Sequence, residues 1–216
     1  MHIVESRPGP KILVAGGGDV GSAVAHRLHG CGARVLIAEK ERSPHARRGM
    51  AFTDALFDGA AALEGVQARL VEDVAGIEAC WEAGGCIPVT TLHESLLTAA
   101  IAFDALVEAT MRRDAVRPDL RGAAALIVGL GPGYAPGVNC DVAIETQWGD
   151  SMGEVLHDRP TKPRAGGPRP LDGVTRERFV PAQAAGMWRT QARLGQPVRR
   201  GDVLGELAGE PVLAPI

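Results

Sequence analysis

Long hydrophobic runs, an excess of positive charge and clustered cysteine motifs are all missing from this sequence. No apolar run reaches the ~18 residues that a membrane-spanning helix needs, and the first ten residues, MHIVESRPGP, lack the apolar centre of a signal peptide. The formal net charge is -3 and the isoelectric point is near 6.1. We therefore expect a cytoplasmic protein with neither a membrane nor a nucleic acid as its partner.

The cysteines do not form a recognisable metal-binding or redox motif. They lie at Cys31, Cys80, Cys86 and Cys140, without a C-x-x-C pair and without histidines at metal-ligand spacing. We expect packed, reduced thiols in a cytosolic protein and no metal site.

The stretch KILVAGGGDVGSAVAHRLHGCGARVLIAEK, residues 11–40, carries the clearest functional pattern. An apolar run at 12–15 predicts a buried strand, apolar residues at helical spacing follow, and a second apolar run at 35–37 ends at Glu39. Between the first strand and the helix, Gly16, Gly18 and Gly21 have G-x-G-x-x-G spacing. This arrangement is typical of a nucleotide-binding strand-turn-helix-strand unit, in which the helix N-terminus faces a pyrophosphate.

Charged residues around this loop leave the identity of the nucleotide open. Asp19 places a negative charge beside the expected phosphates, or it caps the helix. Glu39 suits the two hydroxyls of a ribose, whereas Lys40 and Arg42 directly after it suit a 2′-phosphate. Both NAD and NADP therefore remain candidates.

A basic segment follows the second strand. The arm KERSPHARRGMAFTDALFDG contains Arg42, Arg47 and Arg48, and we expect it either to fold over the glycine loop and face an anion or to be a solvated loop.

The rest of the first 150 residues predicts an alternation of strands and helices, as a doubly wound sheet requires. The predicted elements are strands at 66–71, 86–90, 103–107, 123–128 and 141–145 and a helix at 74–82. Glu108, Thr110 and Arg112 follow one of these strands, at the edge where such sheets bind ligands, and form a second rank of site candidates. A further loop, GLGPGY, has Gly129, Gly131 and Gly133 next to Tyr134, the single tyrosine. So many glycines with a proline predict a loop whose backbone is shaped around another group and is more than a simple connector.

We divide the chain into a Rossmann-like nucleotide-binding domain at 10–150, a Pro/Gly/Arg-rich linker at 151–177 and a small β module at 178–216. The predicted fold class is α/β, with a Rossmann-like, mostly parallel sheet and a small all-β module.

Five segments resemble the accessory proteins of selenium-dependent molybdenum hydroxylase systems, a family often called YqeB. They are AGGGDVGSAVAHRLHGCGARVLIAE, ARRGMAF, VEATMRR, VGLGPGYAPGVNCDVAIET and LGQPVRRGDVLGELAGEPVLAP. The resemblance implies a Rossmann-like domain related to proteins that help to insert or sulfurate the molybdenum cofactor in xanthine dehydrogenase-type enzymes. It also implies that Gly16, Gly18 and Gly21, Arg47 and Arg48, and Gly129, Gly131 and Gly133 belong to the family's characteristic segments.

The C-terminal segment is similar to half of a biotinyl or lipoyl barrel sandwich, through its G-x-x-V-x-x-G-D-V-L pattern at 195–204. Such carriers attach their group to a lysine in a hairpin turn, where this chain has Gly209, Glu210 and Pro211. The last lysine is Lys162, so covalent biotin or lipoate is excluded. Half a barrel leaves an open sheet edge and an uncovered apolar face. We therefore expect one of three arrangements: the β module pairs with another subunit in a homo-oligomer, it packs on the first domain, or the sequence is truncated within the module.

The leading functional hypothesis is an accessory protein that binds a nucleotide, such as NAD(P) or a cytidine nucleotide, or the phosphate end of a pterin or molybdenum cofactor. Its partner would be a molybdenum hydroxylase apoenzyme. The first alternative is an NAD(P)-dependent oxidoreductase like the dehydrogenase of sirohaem synthesis, for which His93 is the one well-placed acid or base. The second alternative is a regulatory nucleotide-sensing module.

Overall fold

The computed structural model describes residues 8–43, 47–112, 117–164, 167 and 170–215. The chain divides into two compact units between residues 164 and 165, and each unit is considered by itself. The boundary falls inside the segment predicted as a linker, 151–177, and the residues of that segment before 165 belong to the first unit.

The first unit is an α/β structure built on a nine-stranded mixed sheet. Its strands are β1 (Lys11–Ala15), β2 (Arg34–Ala38), β3 (Ala60–Leu63), β4 (Val66–Leu70), β5 (Cys86–Thr90), β6 (Ala105–Glu108), β7 (Ile127–Leu130), β8 (Val142–Ile144) and β9 (Val155–Leu156). Its helices are α1 (Asp19–Gly30), α2 (Ala55–Asp58), α3 (Val74–Ala83) and α4 (Glu94–Ala100), with a 3-10 turn at Phe52–Asp54 before α2.

The strand order is β3-β4-β5-β2-β1-β6-β7-β8-β9. The seven inner strands, in sheet order β4, β5, β2, β1, β6, β7 and β8, are parallel. The two edge strands, β3 and β9, are antiparallel to their neighbours. The prediction of an α/β fold with a mostly parallel sheet is confirmed.

Alternation along the strands explains why the sheet is covered on both faces. In β1, Leu13 packs into a core with Trp81 of α3 and Leu97 of α4, whereas Val14 packs into a second core with Ala25 of α1. Successive side chains of a strand point to opposite faces, so one apolar run contributes to both cores. Trp81 is also fixed by its indole N–H, which donates to the carbonyl oxygen of Val35 at 2.9 Å.

Several elements differ from the sequence prediction. The strand predicted at 123–128 forms at Ile127–Leu130 because its pairing with β6 starts at the Leu106 to Ile127 register. The short helix α4, the edge strand β3 and the edge strand β9 were not predicted. All three are at most seven residues long, too short for hydrophobic periodicity to identify them.

The second unit contains a separate three-stranded antiparallel sheet of β10 (Trp188–Arg189), β11 (Val203–Leu207) and β12 (Glu210–Leu213). Among its described residues, Ala214 alone is buried. The small β module is thus present, and its identity as half of a barrel sandwich stays a prediction. Across the described part of both units, no helix has the length and apolar character needed to cross a bilayer.

Candidate functional site

The glycine loop lies at the carboxyl end of β1, where the strand order reverses. From β1 the chain first builds outward through β2 on one side and later returns to add β6 on the other. Loops that leave neighbouring strands in opposite directions open a crevice at this point of a parallel sheet, and ligands of such folds bind there.

Close packing explains two of the three predicted glycines. A Cβ atom on Gly16 would lie 2.7 Å from the Cα of Thr110, and Gly16 has a φ of +96°, which residues other than glycine rarely adopt. A Cβ on Gly21 would lie 1.8 Å from the carbonyl oxygen of Gly16. Gly18 differs, because a Cβ there would meet no atom of the described residues within 4 Å. The loop is therefore held tightly at Gly16 and Gly21 and open at Gly18.

The N-terminus of α1 has no side-chain cap among the described residues. Its N-cap residue is Gly18, which has no side chain to accept a hydrogen bond from the first turn. Asp19 does not fill this role, since its carboxylate forms an ion pair with Arg47. Arg47 thus lies beside the start of α1, and its charge balances that of Asp19.

Arg48 makes different contacts. Its Nε donates to Asp54 at 2.5 Å, a terminal nitrogen pairs with Asp58, and the guanidinium lies 4.8 Å from the ring centroid of Phe57. Two carboxylates therefore balance the charge of Arg48, which ties the basic arm to the start of α2.

The arm also packs directly on the glycine loop through residues that sequence reasoning missed. Ser22 Oγ donates to the carbonyl oxygen of Gly17 at 2.6 Å and accepts from the backbone N–H of Phe52 at 2.8 Å. A Cβ on Gly17 would lie 2.7 Å from Thr53 Oγ1, a buried hydroxyl without a hydrogen-bond partner among the described residues. No motif marks these residues, because their role depends on a contact between segments about 30 residues apart.

Glu39 lies at the end of β2 and contacts the loop directly. Its Oε2 accepts from the backbone N–H of Gly17 at 2.9 Å, and its Oε1 accepts from the N–H of Lys40 at 2.8 Å. Each carboxylate oxygen can accept two hydrogen bonds, so Glu39 is both positioned by the loop and able to accept from a ligand hydroxyl.

Further carboxylates make this edge of the sheet acidic. Burial raises the pKa of Glu94, at the start of α4, and the nearby charges of Glu108 and Glu39 raise it further, while Arg112 and His93 act in the opposite direction. Glu39, which follows β2, Glu94 of α4 and Glu108 of β6 therefore lie close enough for their charges to interact.

The glycines of the second loop, GLGPGY, accommodate the protein's own side chains. A Cβ on Gly129 would lie 2.2 Å from the ring of Tyr134, one on Gly131 would lie 2.7 Å from Thr146 Oγ1, and one on Gly133 would lie 3.0 Å from Arg117 Cγ. Tyr134 is fully buried, so its ring packs inside the protein.

A buried polar cluster of Glu108, Thr110, Arg117 and Tyr134 joins this second loop to the end of β6. The hydroxyls of Thr110 and Tyr134 both donate to the Glu108 carboxylate. Arg117 Nη1 lies 3.6 Å from Glu108 Oε2, and its Nη2 donates to the carbonyl oxygen of Arg112 at 2.7 Å. The guanidinium carbon of Arg117 lies 5.1 Å from the centroid of the Tyr134 ring. Burial raises the pKa of Tyr134, and its hydrogen bond to Glu108 adds to the rise, so the phenol keeps its proton.

Arg117 is the member of this cluster that the sequence did not reveal. It sits in a polar stretch without apolar periodicity, yet its side chain is 3% exposed. The candidates Thr110 and Glu108 are brought together here, directly behind Gly16. His93 instead caps α4, since its Nδ1 accepts from the backbone N–H of Ser95 at 3.2 Å.

Comparison with known proteins gives one informative similarity. The chain is 32% identical over 207 residues to the uncharacterized protein YqeB of Escherichia coli strain K12. The alignment covers 95% of this chain and 38% of YqeB, so the chain spans about two-fifths of the length of that relative. No family model matches the chain, and no solved structure matches it. The similarity supports the YqeB-type resemblance drawn from the five sequence segments.

Proposed function

We propose that the first unit is a Rossmann-like domain that binds a nucleotide-type ligand at the glycine loop and acts as an accessory protein in the maturation of a molybdenum hydroxylase. One observation carries the binding proposal. Helix α1 begins at the strand reversal with a glycine as its N-cap residue, and that glycine has open space around it.

The phosphate of the ligand binds at the start of α1. The first-turn N–H groups of a helix need acceptors, and the positive end of the helix dipole favours an anion. Gly18 lets a phosphate approach the backbone, and Arg47 balances the carboxylate of Asp19 that would otherwise repel it. The hydrogen bonds through Ser22 hold the loop in this shape before the ligand arrives.

The ribose of the ligand lies against Glu39, which accepts from its hydroxyls. The carboxylate of Glu39 itself disfavours an additional 2′-phosphate at this position, so an unphosphorylated ribose, as in NAD or a cytidine nucleotide, fits better than that of NADP.

The accessory role is supported by the resemblance to hydroxylase accessory proteins. The chemistry of the edge agrees with binding more than with hydride transfer, which needs a positioned acid or base. The Nδ1 of His93 is used to cap α4, which leaves only its Nε2 for proton transfer, and Tyr134 is buried with its proton held by burial and Glu108. The partner on this proposal is the apoenzyme of a molybdenum hydroxylase.

The test uses two glycine variants on the same helix. Gly18→Ala adds a methyl group in front of α1, and the φ of -66° at Gly18 accepts alanine without strain. Gly30→Ala, at the far end of α1, is the matched control, since its added methyl group would also meet no atom of the described residues within 4 Å. Titration calorimetry with NAD, NADP and cytidine nucleotides should show affinity at least about tenfold weaker for Gly18→Ala and unchanged for Gly30→Ala.

Equal affinity of both variants would show that the ligand does not bind at this loop. The accessory role is tested separately, by native mass spectrometry of protein purified without oxygen and by maturation of a hydroxylase. A released pterin, molybdenum cofactor or cytidine nucleotide, with a hydroxylase that stays inactive when Gly18→Ala replaces the native chain, supports the role. Bound NAD with turnover of a substrate would replace it with an oxidoreductase.

A further inference from the structure

The amino end of β5 carries a second feature, a cavity lined by two cysteines. Its volume is about 350 Å³. Its lining residues are Arg69, Val71, Gly76, Ala79, Cys80, Ala83, Gly84 and Cys86. Because Cys86 is the first residue of β5 and the glycine loop lies at the carboxyl edge of the sheet, this cavity is separate from the nucleotide site.

Both cysteines lie at the junction of α3 and β5 and line the same cavity. Gly84 and Gly85, both with a φ of +70°, reverse the chain between Cys80 in the last turn of α3 and Cys86. Cys80 Sγ donates to the backbone carbonyl oxygen of Cys86 at 3.7 Å. Neither thiol is fully buried, and both face the cavity.

The two cysteines are not equivalent. Burial raises the pKa of Cys80 to about 12, the hydrogen bond with Cys86 adds to the rise, and the charge of Arg69 opposes it. Cys80 therefore holds its proton more tightly than an ordinary thiol does. Because the thiolate is the nucleophile in disulfide exchange, we assign the first attack to Cys86 and the second attack to Cys80.

We propose that Cys80 and Cys86 form a dithiol site that reacts with an anionic low-molecular-weight disulfide. The Cys86 thiolate attacks one sulfur of the small disulfide, which breaks its S–S bond, forms a mixed disulfide and releases one small thiol after protonation. Cys80 then loses its proton and attacks the Sγ of Cys86, forming the internal disulfide and releasing the second small thiol. The protein loses two electrons and two protons, and the small disulfide gains them.

The chemistry of the cavity explains the choice of an anionic reactant. Apart from the two thiols, its lining side chains are apolar or absent except for Arg69, on β4, which supplies a positive charge. Oxidised glutathione carries carboxylates that this charge attracts.

The experiment equilibrates the full chain with oxidised glutathione, alkylates the remaining thiols and digests with trypsin. Residues 70–112 contain no internal lysine or arginine, so Cys80 and Cys86 lie on one peptide, apart from Cys31 and Cys140. We expect this peptide to lose the mass of two hydrogens and to resist alkylation, whereas the exposed Cys31 gains at most a single glutathione. Alkylation of both cysteines, or separate glutathiones on each, would overturn the proposal.

Variants test the order of attack and the role of the charge. Cys80→Ser should stop at a glutathione adduct on Cys86, and Cys86→Ser should react much more slowly at Cys80. Arg69→Gln should slow the reaction with oxidised glutathione a few-fold at low ionic strength and leave the reaction with neutral hydroxyethyl disulfide unchanged. Equal rates for the two serine variants would refute the assigned order, and equal slowing with both disulfides would refute the charge argument.

Discussion

Replacing Arg117 by methionine should destabilise the first unit strongly, because it removes the only cation of the buried polar cluster. The Arg117 and Glu108 side chains are 3% and 7% exposed, so water cannot compensate the carboxylate that is left behind. Breaking a buried ion pair costs about 3–5 kcal/mol. Since the hydroxyls of Thr110 and Tyr134 still donate to Glu108, we expect the lower end, about 3 kcal/mol.

The chain offers a matched control in Arg121→Met. Arg121 also pairs with a carboxylate, Asp119, at 2.7 Å, but both side chains are exposed. Exposed pairs contribute little, so this variant should unfold almost like the native protein. The measurement is urea unfolding followed by tryptophan fluorescence, in which the buried Trp81 reports on the first unit.

For an m value of about 2 kcal/mol/M, the loss at Arg117 lowers the unfolding midpoint by about 1.5 M. A second substitution, Glu108→Gln, should restore part of the stability of Arg117→Met, because it removes the unpaired charge. Coinciding unfolding midpoints of Arg117→Met and Arg121→Met would refute the reasoning. So would a double variant, Arg117→Met with Glu108→Gln, that loses more free energy of unfolding than its two single substitutions lose together.

Two further predictions concern the second glycine loop and the acidic edge. Gly129→Ala should lower the free energy of unfolding by about 3 kcal/mol, because its Cβ would lie 2.2 Å from the Tyr134 ring. In the control Gly30→Ala, the added Cβ meets no atom of the described residues within 4 Å, so the free energy of unfolding should change by less than about 1 kcal/mol. Equal effects of the two substitutions in urea unfolding would contradict this prediction. Glu94→Gln should stabilise the protein at pH 7 more than at about pH 4. The pKa of Glu94 is raised in the folded state, so the protein loses stability as the pH rises from the ordinary pKa of 4.5 through the folded-state pKa and Glu94 ionises. Glutamine does not ionise and therefore avoids this loss. Unfolding curves at both pH values check this, and a stabilisation independent of pH would show that the carboxylate does not carry the penalty.

Periodicity in the sequence predicted the elements that are long or strongly apolar. The strand at 12–15, the helix after it and the strand ending at Glu39 were found as β1, α1 and β2, and the helix predicted at 74–82 was found as α3. The glycine spacing also located the loop correctly, because a tight turn and a close helix packing need glycine at fixed positions. Short elements such as α4 and β3 were missed, since tertiary contacts and not local pattern determine them.

Side-chain partners were much harder to predict than elements. Arg47 and Arg48 are neighbours in a basic segment, yet one pairs with Asp19 at the glycine loop and the other with Asp54 and Asp58. The pattern of charges along the chain does not contain this distinction, because each partner is chosen by where the folded arm lies.

The sequence by itself determined the alternation of strands and helices, the position of the glycine loop and the acid at the end of β2, because these depend on the conformations that nearby residues can adopt. Only the tertiary structure decided what the second glycine loop surrounds. Tyr134, Arg117 and Glu108 come from three separate segments, and they meet because the parallel pairing of β6 and β7 brings the ends of those strands together. A contact of that kind depends on how the whole sheet is assembled, which no local stretch of sequence specifies.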